Sequence, residues 1–214
     1  MKFSMVPSLL LPLLAAAAPA APENPPFGVM SARSASPIHL LPMTASGQKF
    51  YLGGKTQSYC PLPESKDCPP GTETVFSPGG YGLVSPLFSF PRISCLHLLP
   101  VTNEVLQNVN VPGGQQVYVD PKGALSFTQA HSAYIPEGSA VGPFTYKPGE
   151  QWGYYSFNGW GASGFMACPT EDNRWQVFAA VQNATVPKGN VADCLGFDAL
   201  APKAAKEAAA WQYI

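Results

Sequence analysis

The sequence predicts an all-β protein, arranged as a β-trefoil-like barrel with pseudo-threefold symmetry. The chain contains 24 prolines and 20 glycines, which favour many turns and short elements over long helices. Three hairpin-like units of alternating apolar residues also recur along it, as expected if one supersecondary unit is used three times. A two-sheet β-sandwich fits the same alternation and is the alternative architecture.

The N-terminus has the pattern of an export signal. Lys2 is followed by a mostly apolar stretch, residues 5–18, and Ala18-Pro19-Ala20 fits the small-x-small cleavage pattern, so residues 1–20 are a predicted signal peptide. The apolar stretch is too short to cross a bilayer core of about 30 Å. We therefore expect a secreted protein without a membrane anchor, whose residues 21–200 form a single β-rich domain.

The three predicted hairpin units span residues 38–52, 116–127 and 164–180. In the first, Ile38–Leu41 and Lys49–Leu52 are the predicted strands. The second is the clearest, because Pro121 sets φ at the second turn position and Gly123 can adopt the left-handed conformation. These two residues predict a type I turn with a bulge between two strands.

Two segments depart from this pattern. Residues 84–107 show neither strand alternation nor turn chemistry, and without them the hairpins would be more evenly spaced and four of the five cysteines would remain. We predict that they are an insertion, either a retained intron or a surface loop of the mature protein. The Ala-rich C-terminal tail, residues 201–214, contains at Ala201–Ala210 the one stretch that favours helix.

Charge and motifs exclude several classes of partner and cofactor. Charged residues make up 12% of the chain and the net charge is −1, so the clustered Lys and Arg that nucleic acids or anionic membranes require are absent. No dinucleotide, phosphate-loop or zinc motif occurs, and the histidines are not spaced as metal ligands. We expect no cofactor and no metal, and a near-neutral surface suits neutral polymers such as glycans.

Cysteines and a sequon indicate covalent features typical of secreted proteins. Cysteines in an exported chain are disulfide partners first, and pairing Cys60 with Cys68 closes a Pro-rich loop that has little core to hold it. Asn183-Ala184-Thr185 is a glycosylation sequon, so we predict a glycan on Asn183.

Catalysis is not predicted. His131 and Ser132 are sequence neighbours, but neighbours on a strand point to opposite faces and cannot share a proton. Acidic residues such as Glu150 could serve glycoside hydrolysis only in pairs across a cleft, and no sequence pattern brings two of them together. The expected protein is therefore not an enzyme.

An aromatic cluster is the best candidate for binding. Five of the ten residues 151–160 are aromatic, and exposed aromatic faces hold neutral sugars without needing charge. Alternate members of the cluster could instead fill the core, which is the commoner fate of aromatic residues in a β protein. Trp152, Tyr154 and Trp160 are the candidate glycan contacts.

Short blocks of the sequence resemble a known family. The most specific are Ser163–Pro169 (SGFMACP) and Asp193–Phe197 (DCLGF), and Pro26–Gly28 and Val117–Asp120 support them. With these blocks the chain resembles the PhiA-like fungal cell-wall proteins, a family linked to phialide and conidium development that includes members described as IgE-binding antigens.

The resemblance implies a function and one disulfide. It implies pairing of Cys168 with Cys194, the cysteines of the two specific blocks. It also implies a secreted, non-catalytic cell-wall protein of a filamentous fungus, involved in conidiation or wall development, with wall polysaccharide or wall proteins as partners. A carbohydrate-binding or host-facing secreted module is the alternative function.

Overall fold

The structure of the protein is a computed structural model that describes residues 25–78, 105–107, 109–205 and 208–214. Within these ranges the regular structure consists of strands and short 3₁₀ turns, with no α-helix, so the predicted all-β class is confirmed. The strands are β1 (Met30–Ala32), β2 (Met43–Ser46), β3 (Lys49–Leu52), β4 (Ser58–Tyr59), β5 (Phe76–Pro78), β6 (Val105–Gln107), β7 (Gln115–Val119), β8 (Leu125–Phe127), β9 (Phe144–Lys147), β10 (Trp152–Phe157), β11 (Phe165–Pro169), β12 (Trp175–Ala179), β13 (Leu195–Pro202) and β14 (Gln212–Tyr213). The predicted signal peptide, residues 1–20, and Cys95 lie outside the described residues.

Most of the strands belong to one curled antiparallel sheet. Twelve strands form it, in the order β5-β6-β7-β8-β3-β12-β11-β13-β10-β9, with β1 added to β13 and β2 added to β3. The strands β4 and β14 form a separate two-stranded sheet. In the large sheet β13 is the central element, because its first half pairs with β11 and its second half with β10 and β1.

The segment around Phe27 draws two distant parts of the sheet together. The Phe27 N–H donates to the Phe76 carbonyl of β5 at 2.9 Å, and the Gly28 N–H donates to the Pro202 carbonyl of β13 at 3.0 Å. One short segment thus bonds to both strands, and the sheet curls into a half-barrel.

Aromatic side chains fill the inside of the curl. The fully buried Phe27 ring stacks on Tyr146, with the ring centroids 4.2 Å apart. Tyr155 of β10 lies 5.4 Å from Phe27 and also contacts Phe144 and Phe165, at 5.7 and 5.2 Å. Each fully buried ring stabilises the fold by roughly 1.5–3 kcal/mol. This packing fixes the inner face of β9 and β10, and therefore also the direction of their outer face.

Two of the three predicted hairpins are confirmed. β7 and β8 enclose the Asp120–Ala124 turn, in which Gly123 has a φ of 89°, and β11 and β12 form the third unit. The first prediction was wrong in its leading strand. Residues 36–40 form a turn that buries Ile38, and β2 pairs with β3 instead, through a two-residue turn at Gly47 and Gln48.

The three hairpins are neighbours in the sheet, where β7, β8, β3, β12 and β11 follow one another. This adjacency is compatible with a repeated unit, but the sheet order does not establish a threefold axis. The β-trefoil arrangement therefore stays a prediction beyond the all-β class.

The predicted helix in the C-terminal tail was wrong. β13 continues through Pro202, and the described residues after it run in extended and bent conformations to β14. Long-range contacts outweigh the helix propensity of alanine there. The Glu73 segment lies beside Ala209 in a parallel bridge, and Tyr213 is 1% exposed. The tail is part of the domain.

The predicted insertion overlaps the sheet at one end. Its last three residues, Val105–Gln107, form β6, which pairs with β5 on one side and β7 on the other. Residues 84–104 lie outside the described residues. The segment as predicted therefore includes at least one strand of the fold.

Two disulfides join the cysteines that were paired from the sequence. Cys60 bonds to Cys68 in the loop that follows β4. Cys168 of β11 bonds to Cys194, which directly precedes β13. The second bond holds together the two neighbouring strands that contain the two specific sequence blocks.

Candidate functional site

Strand β10 separates the aromatic cluster into an inner and an outer set. Side chains alternate along a strand, so Tyr155 and Phe157 point into the core, where they are 2% and 0% exposed. Trp152 and Tyr154 point outward and are 48% and 54% exposed. The cluster thus supplies core residues on one face of the strand and exposed aromatic rings on the other.

Neighbouring strands extend the outer side of β10 into a continuous patch. Across the strand pairs, Tyr154 lies opposite Lys147 of β9 and Leu200 of β13, and Trp152 lies opposite Pro202. Cross-strand side chains of this kind are about 4.5–5.5 Å apart at Cβ. The next strand adds Met30, opposite Leu200. We call this set the outer aromatic face: Met30, Lys147, Trp152, Tyr154, Leu200 and Pro202.

Gly153, the second residue of β10, lies between Trp152 and Tyr154 and has no room for a side chain. A Cβ at Gly153 would lie 2.3 Å from the Lys147 carbonyl oxygen and 3.1 Å from the Tyr146 ring. Only glycine allows β9 and β10 to approach so closely between Trp152 and Tyr154. On the inner face of β10, burial raises the pKa of Tyr155 well above its ordinary value, which keeps the phenol neutral. The outer face is therefore backed by a buried core of packed, uncharged aromatic rings.

Trp160 does not share this face. It follows β10 in a 3₁₀ turn, where it adopts a left-handed φ of 55° between two glycines. Its ring packs edge-on against the inward-facing Phe157, with centroids 6.1 Å apart, and stays 48% exposed. Of the three aromatic residues predicted to contact glycan, the structure brings together Trp152 and Tyr154.

A groove lies at the other end of β13. It has a volume of about 450 Å³ and opens where β13 leaves β10 and begins to pair with β11. Arg33 borders it and donates from Nη1 to the Gly196 carbonyl at 2.7 Å. Asp198 lies on the same rim, while the buried rings of Phe165 and Phe197, with centroids 6.3 Å apart, lie beneath the mostly polar surface of the groove.

Sequence reasoning missed this groove. Its walls come from four separate segments, and no local pattern indicates that β1, β11 and β13 meet there. The two specific sequence blocks supply part of the lining, with Ser163 and Phe165 from one block and Gly196 and Phe197 from the other. The sequence thus contained these residues in blocks that resemble a family, but it did not indicate that the two blocks form one site.

The polar residues considered for catalysis lie apart from one another. His131 is exposed in a loop with a φ of 61°, and Glu150 is exposed in the turn before β10. Within the described ranges, no three His, Cys, Asp or Glu side chains are grouped so that they could hold a metal ion.

One buried polar cluster is structural. The Lys49 ammonium lies 2.5 Å from the Asp120 carboxylate and 2.7 Å from the Ser126 hydroxyl. A serine nucleophile would need an exposed hydroxyl, whereas Ser126 is fully buried. Asp120 also accepts the N–H groups of Lys122 and Ala124, so the cluster closes the β7–β8 turn.

The sequon lies at the surface. Asn183 is exposed in the turn that follows β12. Downstream, the Thr185 N–H donates to the Lys122 carbonyl at 2.8 Å, which anchors the turn on the β7–β8 hairpin. A glycan on Asn183 would extend into solvent without displacing core residues.

The part of the chain that the structure describes holds no helix with the length and apolarity needed to cross a membrane.

Comparisons with known proteins agree with the sequence blocks. The model of a family described as PhiA-like secreted protein matches residues 96–214, a range that contains β10, β13 and most of the groove. A relative from Arthroderma benhamiae, described as an uncharacterized secreted protein, is 43% identical over 219 aligned residues that cover all of both chains. No solved structure matches the chain.

Proposed function

Because the chain belongs to the PhiA-like secreted protein family, we propose that it is a non-catalytic fungal cell-wall protein, retained by neutral polysaccharide bound to its outer aromatic face. The single observation that carries this proposal is the side-by-side exposure of Trp152 and Tyr154 on one face of a paired strand. The finer role, in conidiation and wall development, is part of the proposal and comes from the family resemblance.

The composition of the face favours an uncharged ligand. The apolar side chains of Trp152, Tyr154, Leu200 and Pro202 offer surfaces on which the C–H faces of sugar rings can stack. Lys147 is the one charged member of the defined set, and it can donate hydrogen bonds to sugar hydroxyls. A ligand bound here would displace water from apolar surface, which contributes roughly 25 cal/mol per Å².

Rigidity supports the same proposal. Strand pairing on both sides of β10 positions Tyr154, pairing with β13 positions Trp152, and the aromatic core lies beneath the strand. A preorganised surface loses little conformational entropy on binding, so affinity does not require a large contact area. A repetitive polymer would offer many equivalent sites, so many protein molecules could bind along one chain.

The proposal of a non-catalytic role follows from the arrangement of acids. Glycoside hydrolysis uses two carboxyl groups about 5–9.5 Å apart on opposite sides of the scissile bond. In the groove Asp198 is the one carboxylate among the lining residues, and Glu150 lies in a turn outside that lining. We expect no turnover of chitin, β-glucan, galactomannan or simple esters. Turnover that disappears in a Glu150→Gln or His131→Asn variant would contradict this.

Sedimentation with insoluble wall polysaccharides tests the binding. The wild-type protein should cosediment with chitin or with β-1,3-glucan, while the Trp152→Ala and Tyr154→Ala variants should each bind about tenfold more weakly, as expected for truncated aromatic anchors. Tyr59→Ala is the matched control, because Tyr59 is 53% exposed but lies on the small β4–β14 sheet. Equal binding by all variants would refute the role of this face.

A gene deletion tests the role in the organism. Wall fractionation of the parent strain should recover the protein with the polysaccharide fraction, and the deletion strain should show defective phialides or conidia. Recovery of the protein solely from the culture medium, with normal sporulation, would favour the alternative of a host-facing secreted module.

A further inference from the structure

We propose that the groove beside Arg33 and Asp198 is a second sugar subsite, so that the protein binds an extended neutral oligosaccharide running along β13. This inference rests on the proposed function and specifies its ligand. One end of the chain would lie on the outer aromatic face, and the other would enter the groove.

The outward side of β13 connects the two places. Its outward residues are Pro202, Leu200, Asp198 and Gly196 in turn, because alternate residues face the same side. The first two lie opposite Trp152 and Tyr154, and the last two line the groove. At about 3.3 Å per residue, this track is roughly 20 Å long, which is the length of several linked sugar rings.

The polar groups of the groove suit sugar hydroxyls. Asp198 is exposed, and within the described residues its carboxylate accepts no hydrogen bond from the protein. Arg33 uses Nη1 for the Gly196 carbonyl, and a guanidinium carries further N–H donors for a ligand. A hydroxyl both donates and accepts, so a carboxylate and a guanidinium on one rim can bind adjacent hydroxyls of one ring.

Charge and shape also favour an uncharged ring over an ion. One positive and one negative side chain border the groove, so their charges balance across it. The rings of Phe165 and Phe197 lie beneath the groove and are 2% and 8% exposed, so the surface that the groove offers to a ligand is mostly polar, as sugar hydroxyls require. Its volume of about 450 Å³ lies within the range of small-molecule sites, about 300–1,000 Å³.

Two substitutions test the groove without disturbing the aromatic face. Asp198→Asn keeps the shape of the side chain and removes its charge. Gly196→Val fills the groove, and the fold can accept it, because a Cβ at Gly196 meets no atom within 4 Å and valine suits a strand. Asp67→Asn is the control for charge removal, since Asp67 is exposed in the Cys60–Cys68 loop.

Titration calorimetry with sugars of two lengths gives the readout. The probes are chitobiose and chitohexaose, and laminaribiose and laminarihexaose. The wild type should bind the hexaose of its preferred series more tightly than the biose. Asp198→Asn and Gly196→Val should weaken hexaose binding by about tenfold, as expected for loss of a hydrogen bond to a charged group, and should leave biose binding unchanged.

The outcomes separate this inference from the proposed function. The inference is wrong if both groove variants bind the hexaose like the wild type, or if the wild type binds the biose as tightly as the hexaose. In either case the protein can still cosediment with polysaccharide, and the proposed function stands. If the Trp152→Ala variant sediments like the wild type, the proposed face is wrong regardless of the groove. A groove that binds a charged sugar or a peptide in competition assays, and neither neutral series, would also overturn the inference.

Discussion

The Tyr213→Phe substitution removes a single hydroxyl group that fastens the C-terminal tail to the domain. This hydroxyl accepts the Val75 N–H at 3.0 Å and donates to the Glu73 carbonyl at 2.7 Å. The side chain is 1% exposed, and Val75 is fully buried. Phenylalanine would keep the packing of the ring but would leave the Val75 N–H without a partner.

The structure sets the expected size of the effect. A buried donor left unpaired costs about 1–3 kcal/mol. For a chain of this length, each kcal/mol shifts the melting temperature by about 2–4 °C. Tyr213→Phe should therefore lower Tm by about 2–12 °C, and Tyr213→Ala should lower it further, because it also leaves a cavity.

Thermal unfolding followed by circular dichroism measures this shift. Tyr59→Phe is the matched control, since Tyr59 lies on the partner strand of β14 but is half exposed, and its Tm should stay at the wild-type value. A Tyr213→Phe protein as stable as the wild type would refute the reasoning, because it would show that the tail is not bound through this hydroxyl.

Three further predictions concern stability and modification. Burial raises the pKa of Tyr213 to about 12 and that of Tyr155 well above the ordinary 10.0, so both folded tyrosines favour the protonated form. Stability in denaturant titrations should thus be unaffected by these groups below pH 10 and should fall as the pH rises toward 12; a flat profile would contradict this. Replacing Cys168 and Cys194 together by alanine opens a link across 26 residues and should cost about 3.5 kcal/mol by chemical denaturation, whereas an unchanged midpoint would count against the bond. Protein from a fungal host should lose mass on enzymatic deglycosylation, and Asn183→Gln should abolish that loss; a loss that persists would place the glycan elsewhere.

Local signals in the sequence were sufficient for two of the hairpins. In the β7–β8 unit, Pro121 and Gly123 lie at the turn positions that their conformations favour, and flanking alternation marks the strands. Such signals are contained within a few residues. The turn forms as these signals predict because the carboxylate of Asp120, itself a residue of the turn, accepts the backbone N–H groups that close it.

Long-range contacts explain the errors. Ile38 belongs to an apolar run that predicts a strand, but in the structure it lies in a turn and is buried. The Ser31 N–H and hydroxyl of β1 both donate to the Leu41 carbonyl, which holds this turn against β1. The alanine-rich tail favours helix by itself, yet Tyr213 and its partner Gln115 hold the end of the tail against β7 and β4. Neither contact is visible to a local pattern.

Local signals in the sequence also predicted part of the candidate site. The aromatic cluster identified Trp152 and Tyr154, and the register of β10 then distinguished them from the buried Tyr155. Trp160 could not be assigned to a face in advance, because it follows the strand in a turn with positive φ. The groove depends on strand order, which the sequence did not reveal.

The central claim is that neutral sugars bind the outer aromatic face, and the indole N–H signals of the four tryptophans test it most directly. In a ¹⁵N-labelled sample titrated with chitohexaose or laminarihexaose, the Trp152 signal should shift in a saturable way. Trp175 and Trp211, which lie on β12 and in the tail, should stay in place. An unmoved Trp152 signal with both sugars, or shifts confined to Trp175 and Trp211, would contradict the claim.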